Sequence, residues 1–327
     1  MAYSSGSVIL DDDYNIFATG NAAGSGDNNT ANINTVWGAG AGQFGYGQSD
    51  TISAVAAGST ITATQWATLL TRMTTVANHQ GTSITSISNP SAGDTISAYA
   101  ALSSNITSLY NNKFNASANG TDLTTNGTTT TTGTWDVSAA TTKTVTFGST
   151  DQMRYFFNAG GMIRMSFSLT GGSDSKSVEW GDLLSQTGTI VVTGDGASKT
   201  IAAVAYTGTT KIGGSGSPST LATATGADDY TGTATTIFQQ SADSAPYTAN
   251  NIRIQASVSG SVLTFAVLLS DAAADTIAPD GSGSGNAADV VDGTLTMTTV
   301  IRPPETTYLT NTWGTPTQNA ATWTLSS

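Results

Sequence analysis

Carboxylates are the reactive groups this sequence holds in number: 22 Asp+Glu stand against 10 Lys+Arg, one His and no Cys. Their densest run is Asp11-Asp12-Asp13. Adjacent acids can bind Ca²⁺, yet this run lacks the Gly and the closing Glu of an EF-hand loop. A helix N-terminus accounts for it better, because carboxylates stabilise the positive end of the helix dipole. Asp228-Asp229 and the spread Asp271, Asp275, Asp280, Asp289 and Asp292 lie among Gly, Ser and Ala. They read as solvated turns, since Asp imitates a turn with its own side chain; a loosely held Ca²⁺ over 271–292 is the alternative. Glycoside hydrolysis needs a proton-donating carboxyl and a second carboxylate. The two Glu residues, Glu179 on a short helical segment and Glu305 after Pro303-Pro304, mark no such pair. His79 precedes Gly81 at an expected helix C-terminus, where it can bond the last carbonyls without any further role. Arg154 and Arg164 flank Gly160-Gly161 and are expected to meet acids across strands or a subunit boundary. No residue is therefore assigned to catalysis, to a cofactor or to a metal.

The remaining chemistry narrows by exclusion. Without Cys there are no disulfides, thiolate metal sites or Cys nucleophiles. A single His makes a multi-His metal centre or a His relay within one chain untenable. A net charge of −12 and a pI near 4.1 oppose nucleic-acid binding, which needs clustered Lys and Arg. Five glycines around Trp37, Phe44 and Tyr46 suggest a phosphate cradle, but neither G-x-G-x-x-G nor a following Walker Lys is present. Aromatics plugging an apolar gap, with Gly supplying positive φ, is the reading adopted. No apolar stretch approaches the roughly 20 residues of a membrane span. Residues 1–7 lack a basic region followed by an apolar one, so no signal peptide is expected.

The elements that must carry these residues fall into four segments. Residues 1–115 hold a weak repeat: Gly6 leads to Tyr14 and Gly58 leads to Trp66, each after eight residues, with a looser third copy from Gly93. Trp66, Leu69, Leu70, Met73 and Val76 share one helical face, and Thr62 or Thr64 can cap that helix. A similar helix is expected from Ser97 onward through Leu102, Ile106 and Leu109. Residues 116–150 are rich in Thr, Asn and Gly and read as a linker, or an extended arm ordered only against neighbouring subunits. Residues 151–308 read as strands: Met153–Asn158, Met162–Leu169, Ile190–Thr193, Ile201–Tyr206, Ala234–Gln239, Asn251–Val258, Val262–Leu269 and Thr294–Ile301. Ser177–Thr187 is the one helix expected there, and Ser259-Gly260 the tight turn of a hairpin. The tail, 309–327, carries Trp313 and Trp323 and is expected to dock. The fold class is α+β: a small helical repeat domain, a Thr-rich linker and a mainly antiparallel β-sandwich or jelly-roll-like domain.

Three stretches resemble structural proteins of tailed bacteriophages, cyanophages among them. They are Tyr155-Phe-Phe-Asn-Ala-Gly-Gly-Met-Ile-Arg-Met-Ser-Phe-Ser with Trp180-Gly-Asp-Leu-Leu, Val36-Trp-Gly with Gly45-Tyr-Gly-Gln, and Ile61-Thr-Ala-Thr-Gln-Trp with His79-Gln-Gly-Thr. The resemblance implies a non-enzymatic virion or tail-appendage component, such as a fibre, collar or baseplate subunit. It brings no catalytic residues. It implies partners in other copies of the chain, a trimer favoured, and in other virion proteins. The alternative is a receptor- or glycan-binding module at a fibre tip, with Trp and Tyr stacking on sugars.

Overall fold

A computed structural model describes residues 11–20, 31–39, 44–89, 91, 98–273 and 290–327. Four helices open the chain: α1 (Asp11–Ala18), α2 (Ile33–Trp37), α3 (Ala63–Gln80) and α4 (Tyr99–Asn111). The Thr62 side chain accepts from the Gln65 amide while Gln65 reaches back to the Thr62 amide, so a complete capping box starts α3. Gly81, at φ 68, ends it. The expected face of α3 is the buried one, and Tyr14 of α1 meets Trp66 edge-on at 5.7 Å. The two aromatics of the sequence repeat thus pack on each other. Helix α4 buries Leu102, Ile106 and Leu109. The glycine turns of the first and third copies lie outside the described residues.

The expected linker is instead part of two sheets. Strand β1 (Thr128–Thr132) pairs antiparallel with a later strand, Thr128 opposite Thr298 and Thr132 opposite Thr294. Strand β2 (Ser138–Thr146) pairs along its whole length with 262–270. The correction has a physical reason. Thr suits a pleated, half-buried surface, and alternation sends Thr129 inward while Thr128, Thr130 and Thr132 face out. The apolar surface the segment lacks is supplied by the strands it pairs with.

Met153–Asn158 is likewise not a strand. It belongs to α5 (Thr150–Asn158), capped by Ser149, whose side chain accepts from the Gln152 amide. Met153, Phe156 and Phe157 stand at helical spacing on its buried side. Beyond it follow β3 (Met162–Thr170), α6 (Ser175–Thr187), β4 (Thr189–Thr193), β5 (Lys199–Ile201), β6 (Val204–Tyr206), β7 (Thr209–Ile212) and β8 (Thr220–Leu221). A 3₁₀ turn at Ala227–Asp229 leads to β9 (Thr235–Ser241), β10 (Asn251–Ser259), β11 (Val262–Ser270), β12 (Thr294–Arg302), β13 (Thr317–Gln318) and β14 (Thr324–Ser326). Ile201–Tyr206, expected as one strand, is a hairpin broken by Ala202 and Ala203 at φ 48 and 64. Gly260, at φ 58, makes the β10–β11 turn together with Ser261.

The fold class is α+β, with helices first and a mainly antiparallel β region after them. The first sheet has the order β1-β12-β3-β4-β7 and the second β13-β2-β11-β10-β9-β8, with β14 also on β2; β5 and β6 form a small two-stranded sheet of their own. In the second sheet Ile252, Ile254 and Ala256 lie opposite Leu269, Val267 and Phe265, all buried. In the first, Leu295, Met297 and Ile301 lie opposite Leu169, Phe167 and Ile163. The buried faces of both sheets and the N-terminal helices share one apolar cluster. The tail docks on its own chain: Trp313 and Trp323 are buried, and the Trp323 Nε1–H donates to the Thr129 carbonyl at 3.1 Å.

Candidate functional site

The residues marked by type in the sequence end up apart. Asp11–Asp13 form the first turn of α1, where Asp11 Oδ2 accepts from the Gly58 amide at 3.1 Å. His79 sits near the C-terminus of α3 but bonds a different element, its Nε2 lying 3.1 Å from the Ala159 carbonyl oxygen. A carbonyl only accepts, so the neutral ring carries its proton on Nε2. Burial pushes the ring's pKa down to about 4, against the opposing pull of that carbonyl and of Glu305. Glu179 is on α6, and burial, then Asp243 and Asp182, raise its carboxyl above the usual range. Arg154 pairs with Asp151 on its own helix at 3.1 Å and donates to the Ala39 carbonyl. Arg164 stands on β3 opposite Val191 and Val300, and its charge, after that of Arg302, helps to hold the Asp122 carboxyl below its usual range.

The glycine-rich aromatic segment serves packing. Tyr46 is buried and donates to the Lys113 carbonyl at 2.7 Å while accepting from Gln80 at 3.0 Å. The Arg72 guanidinium lies 3.9 Å from the centre of the Trp37 ring. Gly47, at φ 75, leaves room for Tyr155, whose ring a Cβ there would strike at 2.4 Å.

Two places remain where polar groups converge. The first is a cavity of 470 Å³ lined in part by Asn119, Leu123, Pro304, Glu305, Asn311 and Trp313. Asn119 Oδ1 and Glu305 Oε1 are buried there without hydrogen-bond partners. Unpaired acceptors beside a Trp would suit a ligand rich in donors, such as hydroxyls.

The second place is the first turn of α6. Asp174 caps the helix, accepting from the Ser177 amide at 2.8 Å, and the Ser177 Oγ lies 2.5 Å from Asp174 Oδ2 and 2.9 Å from Asp292 Oδ1. Burial opposes ionisation of Asp174, but hydrogen bonds from the Ser177 hydroxyl and amide, together with that to Asp292, hold the carboxyl below its usual range. One residue earlier, Lys176 meets Asp136 at 2.9 Å and Asp271 at 2.8 Å. The ends of the acidic stretch 271–292 thus converge on one helix turn; Asp275, Asp280 and Asp289 lie outside the described residues. Among the described residues no group of three or more His, Asp or Glu has the arrangement of a metal centre.

Sequence reasoning passed over Lys176, although a signal was present. Lys176, Trp180, Leu183, Leu184 and Thr187 fall on one helical stripe, and all are buried. A Lys on the core-facing stripe of a helix needs a partner inside.

These features define an α+β protein whose two larger antiparallel sheets share one apolar cluster, and no helix among the described residues is long and apolar enough to cross a membrane. Comparison with family models, curated proteins and solved structures yields no match.

Proposed function

We propose that this chain is a non-enzymatic structural subunit of a tailed-bacteriophage virion, a fibre, collar or baseplate-associated component acting in several copies. Its place is the virion, and its partners are other copies of itself and other virion proteins. The supporting observation is the outward face of the first sheet. Registered rows run Thr132–Thr294–Thr170, Thr130–Thr296–Ser168 and Thr128–Thr298–Ser166 across β1, β12 and β3. Hydroxyls link neighbours, with Thr132 Oγ1 3.0 Å from Thr294 Oγ1. The patch is accessible and carries no charge, as suits the centre of a subunit interface, where charged groups are depleted. The resemblance to bacteriophage structural proteins favours a trimer.

Size-exclusion chromatography with light scattering tests this reading on the full chain. An oligomer is expected for the wild type, and a monomer for the double variant Thr130→Lys, Ser168→Lys with its melting curve retained. A wild type that stays monomeric at high concentration overturns it.

A second reading has its own observation. The cavity with unpaired acceptors at Asn119 and Glu305 favours glycan binding, which would make the chain a receptor-recognising component. A glycan array probed with the full chain should give hits that Glu305→Ala removes; an array without hits sinks this alternative.

A further inference from the structure

The first turn of α6 brings a buried primary amine together with one fully buried and one half-buried carboxyl. The side chain of Lys176 is 1% exposed, that of Asp271 0% and that of Asp136 27%. Three elements converge to do this. Lys176 belongs to α6, inside the connection from β3 to β4 in one sheet. Asp271 follows β11 of the other sheet directly, and its amide donates to the Val137 carbonyl at 3.0 Å, beside Asp136. Trp135, next to Asp136 in the chain, and Trp180, one turn beyond Lys176, meet edge to face with ring centres 4.7 Å apart.

As an ion pair this cluster is poorly made. Taking two charges out of water costs several kcal/mol per ion, repaid only when the remaining polar valences are satisfied. The Lys176 Nζ lies 2.8 Å from Asp271 Oδ2 but is poorly aligned for a hydrogen bond, and the Asn250 side-chain amide, the other donor beside this carboxyl, also lacks a well-formed one. Burial, and after it the Asp136 charge, raises the Asp271 carboxyl above its usual range against the opposing pull of Lys176 and Asn250. Desolvation of Asp271 favours its neutral acid, the form an amine can attack. The other buried lysines are served differently: Lys143 by the carbonyls of Asn126 and Asn319, Lys199 by those of Gly194 and Asp195.

We propose that Lys176 and Asp271 condense into an intramolecular isopeptide bond, with Asp136 carrying the proton. Transfer of one proton from the ammonium to the Asp271 carboxylate leaves an amine and a carboxylic acid. The Nζ lone pair attacks Cγ of Asp271 and the Nζ–Cγ bond forms. Asp136 Oδ1, 2.9 Å from Nζ, accepts the proton that nitrogen releases and returns it to the departing hydroxyl. The Cγ–O bond breaks and water leaves. Ammonium and carboxylate become amide and water, so no oxidant, reductant or other reactant enters. The product removes two buried charges and ties α6 to the end of β11, bracing one sheet against the other in a chain without Cys. The inference does not depend on a virion role.

Mass spectrometry of the purified full chain under denaturing conditions is the test. The wild type is expected to weigh one water less than its sequence, and trypsin to release a branched peptide joining Lys176 to Asp271. Lys176→Arg and Asp271→Ala are expected at full sequence mass, and Asp136→Ala with the branched peptide absent or greatly reduced. These readouts come from denatured chain, so a variant that folds poorly leaves the wild-type result decisive. A wild type at full mass without the branched peptide overturns the proposal. So does a branch to Asp136 instead, or a water deficit that survives in Lys176→Arg, which would place the dehydration at an Asp-Gly site such as Asp292-Gly293. Full cross-linking in Asp136→Ala overturns the role given to Asp136.

Discussion

His79 is fully buried against Tyr46 and the Ala159 carbonyl, and that position has a consequence in solution. Unfolded, the ring takes up a proton as pH falls through about 6.5; folded, it does so only near 4. Between those values the unfolded state binds more protons, so this stabilising contribution is present above pH 6.5 and is lost as pH falls. From pH 7 to pH 5 the loss is about 2 kcal/mol, at 1.36 kcal/mol per pKa unit. Urea denaturation at the two pH values, wild type against His79→Gln, should show that difference; equal pH dependence would remove the buried-neutral assignment. Trp66 makes a second test at this scale. It is buried edge-on to Tyr14, and Trp66→Ala should cost ~3–5 kcal/mol in chemical denaturation. The role of Trp66 was legible in the sequence because its partners recur at helical spacing in the same segment. The partners of Lys176 were not: Asp136 and Asp271 come from segments far away in the chain, just before β2 and just after β11, and only the stripe of α6 hinted that the amine is buried.

At the level of elements, β1 and β2 separate what local pattern encodes from what pairing supplies. A run of Thr has no apolar periodicity to read, so the segment resembles a spacer until β12 and β11 are in place beside it. Met153–Asn158 failed for the opposite reason: six largely apolar residues suit either period, and the Ser149 cap tips them into a helix. Where alternation was strong, in β10, β11 and β12, strands and inward faces agree with the pattern, because one buried face fixes the register. Deleting Thr124–Thr132 should therefore abolish the cooperative melt. It bares the edge of β12 and takes away the Thr129 carbonyl that Trp323 uses. A deletion variant that melts like the wild type would return the segment to a spacer. A smaller lesion makes the same point. At Gly127 a Cβ would lie 2.4 Å from the Thr299 carbonyl oxygen, a backbone atom that cannot swing aside. Gly127→Ala should lower the melting temperature by several degrees, at about 2–4 °C per kcal/mol in a chain of this order of size.

On the scale of the whole molecule, hydrogen bonds join the early helices to residues far along the chain. Gln48 Oε1 accepts from the Thr310 amide at 3.0 Å, and its Nε2 donates to the Thr310 carbonyl at 3.0 Å. The Thr312 hydroxyl donates to the Tyr46 carbonyl at 2.6 Å, and Asn158 Nδ2 donates to the Gly45 carbonyl at 3.0 Å. Ser117 donates to the His79 carbonyl at 2.6 Å. Buried side chains of the helices and of both sheets belong to one apolar cluster, so neither part closes its core alone. Composition suggested a chain divided at 116–150, because a stretch poor in apolar residues looks like a boundary. The same stretch supplies a partner to each sheet and so joins the parts. The full chain should accordingly unfold in one calorimetric transition, with calorimetric and van't Hoff enthalpies in agreement. The fragment 151–327, stripped of β1 and β2, leaves the edges of β12 and β11 bare and should show no cooperative melt. Restoring 116–150 should recover part of the β signal without recovering native stability, since Tyr46 and Gln48 are still missing. Two resolved transitions in the full chain, or a cooperative melt of 151–327, would show that the parts are independent and that the contacts across them are incidental.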